Sequence, residues 1–249
     1  MMIRIIFSFF LVSPLFIFSQ NKEAWPVEHI PDVLLENANA VVRQQNIEFN
    51  VQAPDRAVYK ERRVITIFND KTHYDKLVVN YDPSQKLGYI SGRIYDAAGN
   101  FVRKISKKEI KDESAISSFS IYEDNRIRYV DVDNMDYPYT VEFEYEMSYK
   151  ELLFYPNWQI DEFNTAVEQA VLQVSLPANM QLHYKTYNLG DLQPRMENTE
   201  KRQRFTWQVE NIKAVKREPY CPPANKLLPA IFLSPGEFRV GGYTGSLSS

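Results

Sequence analysis

From Ala40 onward the chain alternates apolar and polar residues with a period of two, in short runs broken by turn-forming residues. Such alternation sends every second side chain to one face of an extended strand. The runs 40–49 and 56–68, separated by QAPDR, are predicted as strands, and the second ends in VITIF, a β-branched block suited to a half-buried strand. Strands are also predicted over 76–81, 89–95 and 101–105, the last two joined by the hairpin turn DAAGN. The series continues over 118–122, 126–132, 140–150, 167–176, 182–187 and 201–209. Alternation is clearest in VEFEYEMSY, where Val141, Phe143, Tyr145 and Met147 face the core and Glu142, Glu144 and Glu146 face water. Only IPDVLLENANA, residues 30–40, has the content for one or two helical turns. About ten short strands with no long helical pattern between them predict an all-β fold, an antiparallel β-sandwich, immunoglobulin-like or related. The polar stretches 106–115 and 189–198 are expected as surface loops.

The two ends differ from this pattern. Residues 1–20 carry Arg4, then an apolar run broken by Ser8, Ser13 and Pro14, and close on the small Ser19. This is the layout of a secretory signal peptide, and the run is shorter than the roughly 20 residues of a membrane-spanning helix. An exported protein, periplasmic or extracellular and without a stable membrane span, is expected. Residues 21–39 form a lead with a short helical turn, and 40–233 the sandwich. The segment 217–238 holds five prolines, expected as extended or edge-strand backbone running over the surface. Residues 234–249 include four of the eight glycines, three of them in the last ten residues, and are expected to be a linker.

Composition narrows the chemistry. Eight glycines in 249 residues, with neither GxGxxG nor GxxxxGK[ST], exclude the glycine-loop routes to nucleotide binding. The net charge of −3, with basic stretches interleaved at strand spacing, gives nucleic acid nothing to follow. Stretches such as 60–63 are expected on a solvated sheet face. A single cysteine excludes an internal disulfide and any zinc site with two Cys ligands. No cofactor and no metal site is expected. Cys221 lies between Tyr220 and two prolines, and His29, His73 and His183 all precede it. A thiol nucleophile needs a base beside it, so the bland reading, a small buried or semi-buried thiol, is preferred. Counting from Asp131, the first residue of DVDNMD, Glu142 falls at the twelfth place, as in a calcium loop. Asp136 occupies the position where that loop needs glycine, and no helices flank it, so it is read as a strand end entering a turn. Glu142, Glu144 and Glu146 lie about 7 Å apart along one face, compatible with paired-carboxylate chemistry but equally with a wet strand. Among the aromatics, Trp207 in FTWQV is expected in the core. Tyr155 and Trp158 in the loop around YPNWQ are the expected exposed ligand contacts.

The runs ENANAVVRQQNIEF, VEFEYEMSY, FYPNWQIDEFN, VLQVSLP and above all FTWQVENIKAVKREPYCPPANKLLPAIFLSP together resemble a domain of unknown function that precedes transglutaminase-like domains in exported proteins of Gram-negative bacteria. The resemblance covers roughly residues 26–235. It implies a β-sandwich and a transglutaminase-like domain as partner, whose Cys, His and Asp would lie beyond Ser249, so no catalytic residue carries over. The expected function is a non-catalytic accessory module that positions such a domain or recruits its substrate. The alternatives are a stand-alone carbohydrate- or peptide-binding domain and, behind it, a hydrolase in its own right.

Overall fold

The structure is a computed structural model that describes residues 25–115, 124–132, 135–160 and 162–246. The signal peptide expected over 1–20, the strand expected over 118–122, and Asp133 and Asn134 of the acidic run lie outside the described residues. Among those described, the strands are β1 (Ala40–Ala53), β2 (Arg56–Ile67), β3 (Lys76–Tyr81), β4 (Gln85–Tyr95), β5 (Phe101–Lys104), β6 (Lys111–Ser114), β7 (Arg126–Asp131) and β8 (Tyr139–Tyr149). They continue with β9 (Trp158–Gln159), β10 (Thr165–Pro177), β11 (Leu182–Tyr187), β12 (Arg195–Asn198), β13 (Arg202–Ile212), β14 (Ala230–Pro235), β15 (Glu237–Val240) and β16 (Tyr243–Ser246). One helical turn, α1 (Ala224–Leu227), and two 3-10 turns, Val27–His29 and Asp32–Leu34, complete the described elements. None of these helices is long and apolar enough to cross a membrane.

Eight strands form one large sheet in the order β12-β13-β10-β1-β2-β8-β4-β5. Its inner face carries the alternate apolar residues that the pattern demands: Ile47, Phe49 and Val51 from β1, Ile65 and Ile67 from β2, Val141 and Phe143 from β8, Leu172 and Val174 from β10, and Phe205 and Trp207 from β13. Two three-stranded sheets, β11-β14-β9 and β3-β7-β6, supply the second layer and join the same core through Ile231 and Leu233 of β14 and Val130 of β7. Tyr184 of β11 meets Trp207 edge-on at 5.1 Å, so the first small sheet covers the β10/β13 side. Val79 of β3 packs with Leu87 and Met147, so the second covers the β4/β8 side. The result is the expected all-β sandwich, with a divided second layer.

One pairing departs from a wholly antiparallel sandwich. β1 and β10 run parallel, with Ile47 opposite Leu172 and Phe49 opposite Val174. A parallel pair needs a long crossover. Here that crossover is the chain from β2 to β9, strands of both layers, so no helix is required.

The loops and tail hold more structure than their composition suggests. The polar stretch 106–115 contributes β6, and 189–198 contributes β12, the edge of the large sheet. β14 does not run over the surface: it is the middle strand of its sheet, with Ala230, Ile231, Leu233 and Pro235 buried. Its residues alternate strongly enough to pair on both sides despite the flanking prolines. The expected linker is a hairpin of β15 and β16, tied back by Gly236 N–H to the Gln181 carbonyl (2.9 Å) and Arg239 N–H to the Pro54 carbonyl (3.2 Å).

Candidate functional site

Charged residues lie buried on both faces of the large sheet. On the inner face, β2 places Tyr59, Glu61 and Arg63 at alternate positions, continuing into Ile65 and Ile67, so all five point inward. Glu61 is only 3% exposed. Its Oε1 accepts from Gln45 Nε2 (2.8 Å) and from Arg63 Nε (2.7 Å), and its Oε2 accepts from Tyr59 OH (2.8 Å) and Tyr145 OH (3.0 Å). Gln45 Oε1 in turn accepts from Trp158 Nε1 at 3.0 Å. Burial pushes the Glu61 carboxyl up, but the Arg63 charge and the bonds from Gln45, Arg63 and Tyr59 hold it below the ordinary carboxylate range. Burial and the Glu61 charge push Tyr59 and Tyr145 upward, so both phenols stay protonated as donors.

The position of this cluster has a cause in the fold. β9 and β3 are the edges of the two small sheets, and Trp158 of β9 reaches the cluster from one side. From the other side the guanidinium of Arg63 lies 5.8 Å from the Tyr74 ring. A cavity of about 20 Å³, large enough for a single water, is lined by Glu61, Arg63, Tyr74, Lys76 and Tyr145. The polar groups fill the seam where the second layer is divided.

The outer face holds a second cluster. Glu142 of β8, expected on a solvated face, is only 2% exposed. Its Oε1 accepts from Arg62 Nε (2.8 Å) and Arg93 Nη1 (3.0 Å), its Oε2 from Tyr95 OH (2.7 Å). Burial raises its pKa; the bonds from Arg62 and Tyr95 and the charges of Arg62 and Arg93 outweigh this and lower it. The Trp25 ring lies 6.0 Å from the Arg62 guanidinium and 5.7 Å from that of Arg43. Arg43 is itself paired with Glu168 at 2.5 Å. The lead that brings Trp25 here is seated by Ile30 and Leu34 against Val41 and Ala166 and by Val27 N–H on the Ala97 carbonyl (2.9 Å). Gly99, at φ 79°, makes the close approach possible, since a Cβ there would stand 2.4 Å from the Pro26 nitrogen.

The residues expected to meet a ligand take other places. Trp158 is 2% exposed and Tyr155 4%, both in the main core, so their expected exposure is corrected. Trp158 forms β9 against Ile231 of β14, and Tyr155 packs edge-on against Phe49 at 5.0 Å with its phenol pushed up to about 12 by burial. The turn around Pro156 leads into β9 of the second layer, with the side chains of Tyr155 and Trp158 in the core between the layers. Glu61, within a basic stretch expected on a solvated face, is likewise a core residue. Its signal was present in the sequence: Glu61 shares strand parity with Ile65 and Ile67. Trp207 is fully buried as expected. Cys221 is half-buried beyond Tyr220, whose φ is 64°, and among the described residues no hydrogen bond joins it to a histidine. His29 and His73 lie in exposed turns and His183 on β11. Asp131 pairs with Lys76 at 3.0 Å, and no described group of three or more His, Cys, Asp or Glu is placed to hold a metal.

Away from the lead, the outer face is open and polar. A groove of about 540 Å³ crosses β1, β10, β13 and β12 over Glu48, Asn50, Gln173, Ser175 and Arg204. Arg202 spans it, donating to Ser175 Oγ (3.0 Å) and Asn50 Oδ1 (2.5 Å).

These features define a two-layer all-β domain whose charged clusters brace both faces of one sheet. The chain belongs to DUF3857, a domain of unknown function with a solved structure, which matches residues 53–216. Among solved structures, a protein from Parabacteroides distasonis described as a "putative protease" shares the fold at 18% identity with a TM-score of 0.68. That match covers 79% of this chain and 40% of the other. An M1 zinc metallopeptidase from Deinococcus radiodurans aligns at 9% identity and a TM-score of 0.37, over 84% of this chain and 46% of that one. The chain thus spans less than half the length of either. No curated protein matches it.

Proposed function

We propose that the chain is an exported, non-catalytic β-sandwich module that accompanies and positions a transglutaminase-like, peptidase-type domain or recruits its substrate. The observation that carries this reading is the proportion of the shared fold: the sandwich makes up 40% of the Parabacteroides distasonis protein, so there it stands beside further chain. The sequence resemblance of residues 26–235 to domains that precede transglutaminase-like domains supplies the nature of that neighbour. The signal-peptide layout of residues 1–20 supports export.

The test is an assay of the full chain for hydrolysis and glutaminyl transfer on casein, beside its Cys221→Ser variant. No turnover by either is expected, whereas turnover that the substitution abolishes would make the chain an enzyme and overturn the proposal. Mass spectrometry of the exported protein checks the location, with cleavage expected near Ser19.

A further inference from the structure

A second concave site lies where the turn after β2, the segment entering β10 and the proline-rich strap meet. It is a cavity of about 250 Å³, lined among others by Lys71, His73, Glu162, Phe163, Arg217 and Leu228. Asparagines lock the three segments together. Asn69 donates to Asn39 Oδ1 (3.2 Å) and accepts from Lys71 N–H (3.0 Å). Asn164, at φ 60°, donates to the Asn37 carbonyl (3.1 Å) and accepts from Arg217 N–H (3.3 Å). The walls are therefore set before any ligand arrives. The Arg217 guanidinium lies 5.9 Å from the Phe163 ring. Lys71, His73, Arg217 and Glu162 make no ion pair with any described residue, whereas cations elsewhere on this surface, such as Lys60, Lys76 and Arg128, are paired.

We propose that this cavity binds an amino-acid-sized zwitterion, a dipeptide or free amino acid. Arg217 and Lys71 take its carboxylate, Arg217 with the planar two-donor geometry that suits that group. Glu162 takes its ammonium. Phe163 and the buried Leu228 receive its side chain. Glu162 in the lining disfavours a dianion such as phosphate, and the volume is below the 300 to 1,000 Å³ of drug-sized pockets, which restricts the ligand to one or two residues. The site does not depend on the accessory role proposed above.

Titration of the ¹⁵N-labelled full chain with alanyl-alanine, followed by NMR, tests this. Saturable shifts are expected at the amides of Lys71, Asn164 and Arg217 with a Kd of about 1 mM, the scale for so small a ligand. Alanyl-alanine amide and N-acetyl-alanyl-alanine, each lacking one charge, are expected to bind about tenfold more weakly, as is the dipeptide to a Lys71→Gln/Arg217→Gln variant. Both substituted side chains are exposed, and an unchanged Tm shows that the variant folds. Absence of shifts, equal binding of the amide, or tighter binding of inorganic phosphate than of the dipeptide would each overturn the proposal.

Discussion

Glu61 and Glu142 sit on adjacent strands, each nearly inaccessible to water, and each is held ionised by its neighbours, yet they are built differently. Glu61 lies under the divided second layer, and three of its four donors are neutral: Gln45, Tyr59 and Tyr145. Glu142 lies under the N-terminal lead and meets two arginines whose side chains remain 24% and 48% exposed. The inner carboxylate is compensated by three oriented dipoles and one charge, Arg63, whose side chain is 29% exposed; the outer one is compensated by two charges and one dipole. Loss of the inner carboxylate leaves the buried Gln45 and Tyr59 with no solvent to fall back on, whereas the two arginines of the outer one keep contact with water.

That contrast sets the size of the expected effects. Glu61→Ala strips the acceptor from Arg63, from the buried Tyr59 phenol and from the half-buried Tyr145 phenol, and a loss of about 3–5 kcal/mol is expected by chemical denaturation. Glu142→Gln keeps the shape and leaves arginines that can rehydrate, so a loss of about 2 kcal/mol is expected by the same measurement. The reverse order would break the comparison.

A smaller, local effect is expected at the lead. Gly99→Ala places a Cβ against Pro26 at a positive φ, costing about 1–2 kcal/mol, and hydrogen exchange at the Val27 amide should speed up while that at β2 does not. Acid sharpens the picture further. Both carboxyls have folded pKa values below their unfolded ones, so their contribution is complete above the unfolded value of about 4.3 and is lost as pH falls through the folded values. Around Glu142 the facing groups, Arg62, Arg93 and Tyr95, stay protonated throughout that range. The stability of Glu142→Gln should therefore fall less steeply below pH 4.3 than that of the parent chain. Smallest of all, Lys60→Ala removes a pair with Glu144 at 2.9 Å from a solvent-facing position, and a change of about 0.5 kcal/mol or less is expected.

Much of the sandwich was legible in the sequence because its strands alternate. β3, β7 and β11 lie close to their predicted limits, and Trp207 is in the core as FTWQV suggests. The short strands β6, β12 and β9 were not legible, since two to four polar or mixed residues carry no period and are extended only because a neighbouring strand offers its edge. Trp158 and Tyr155 were misplaced for the same reason. A loop's composition says that it turns, but not what it is folded beneath.

The sequence by itself determined which residues share a face, because the backbone pleat fixes that locally with a period of two. It therefore determined the all-β class and that Tyr59, Glu61, Arg63, Ile65 and Ile67 share one face. Only the tertiary structure decided which face is covered and by what: the lead over Glu142, the seam over Glu61, and β14 threaded between β11 and β9. Those contacts join segments far apart along the chain, 113 residues in the case of Trp158 and Gln45, and no local period reports them.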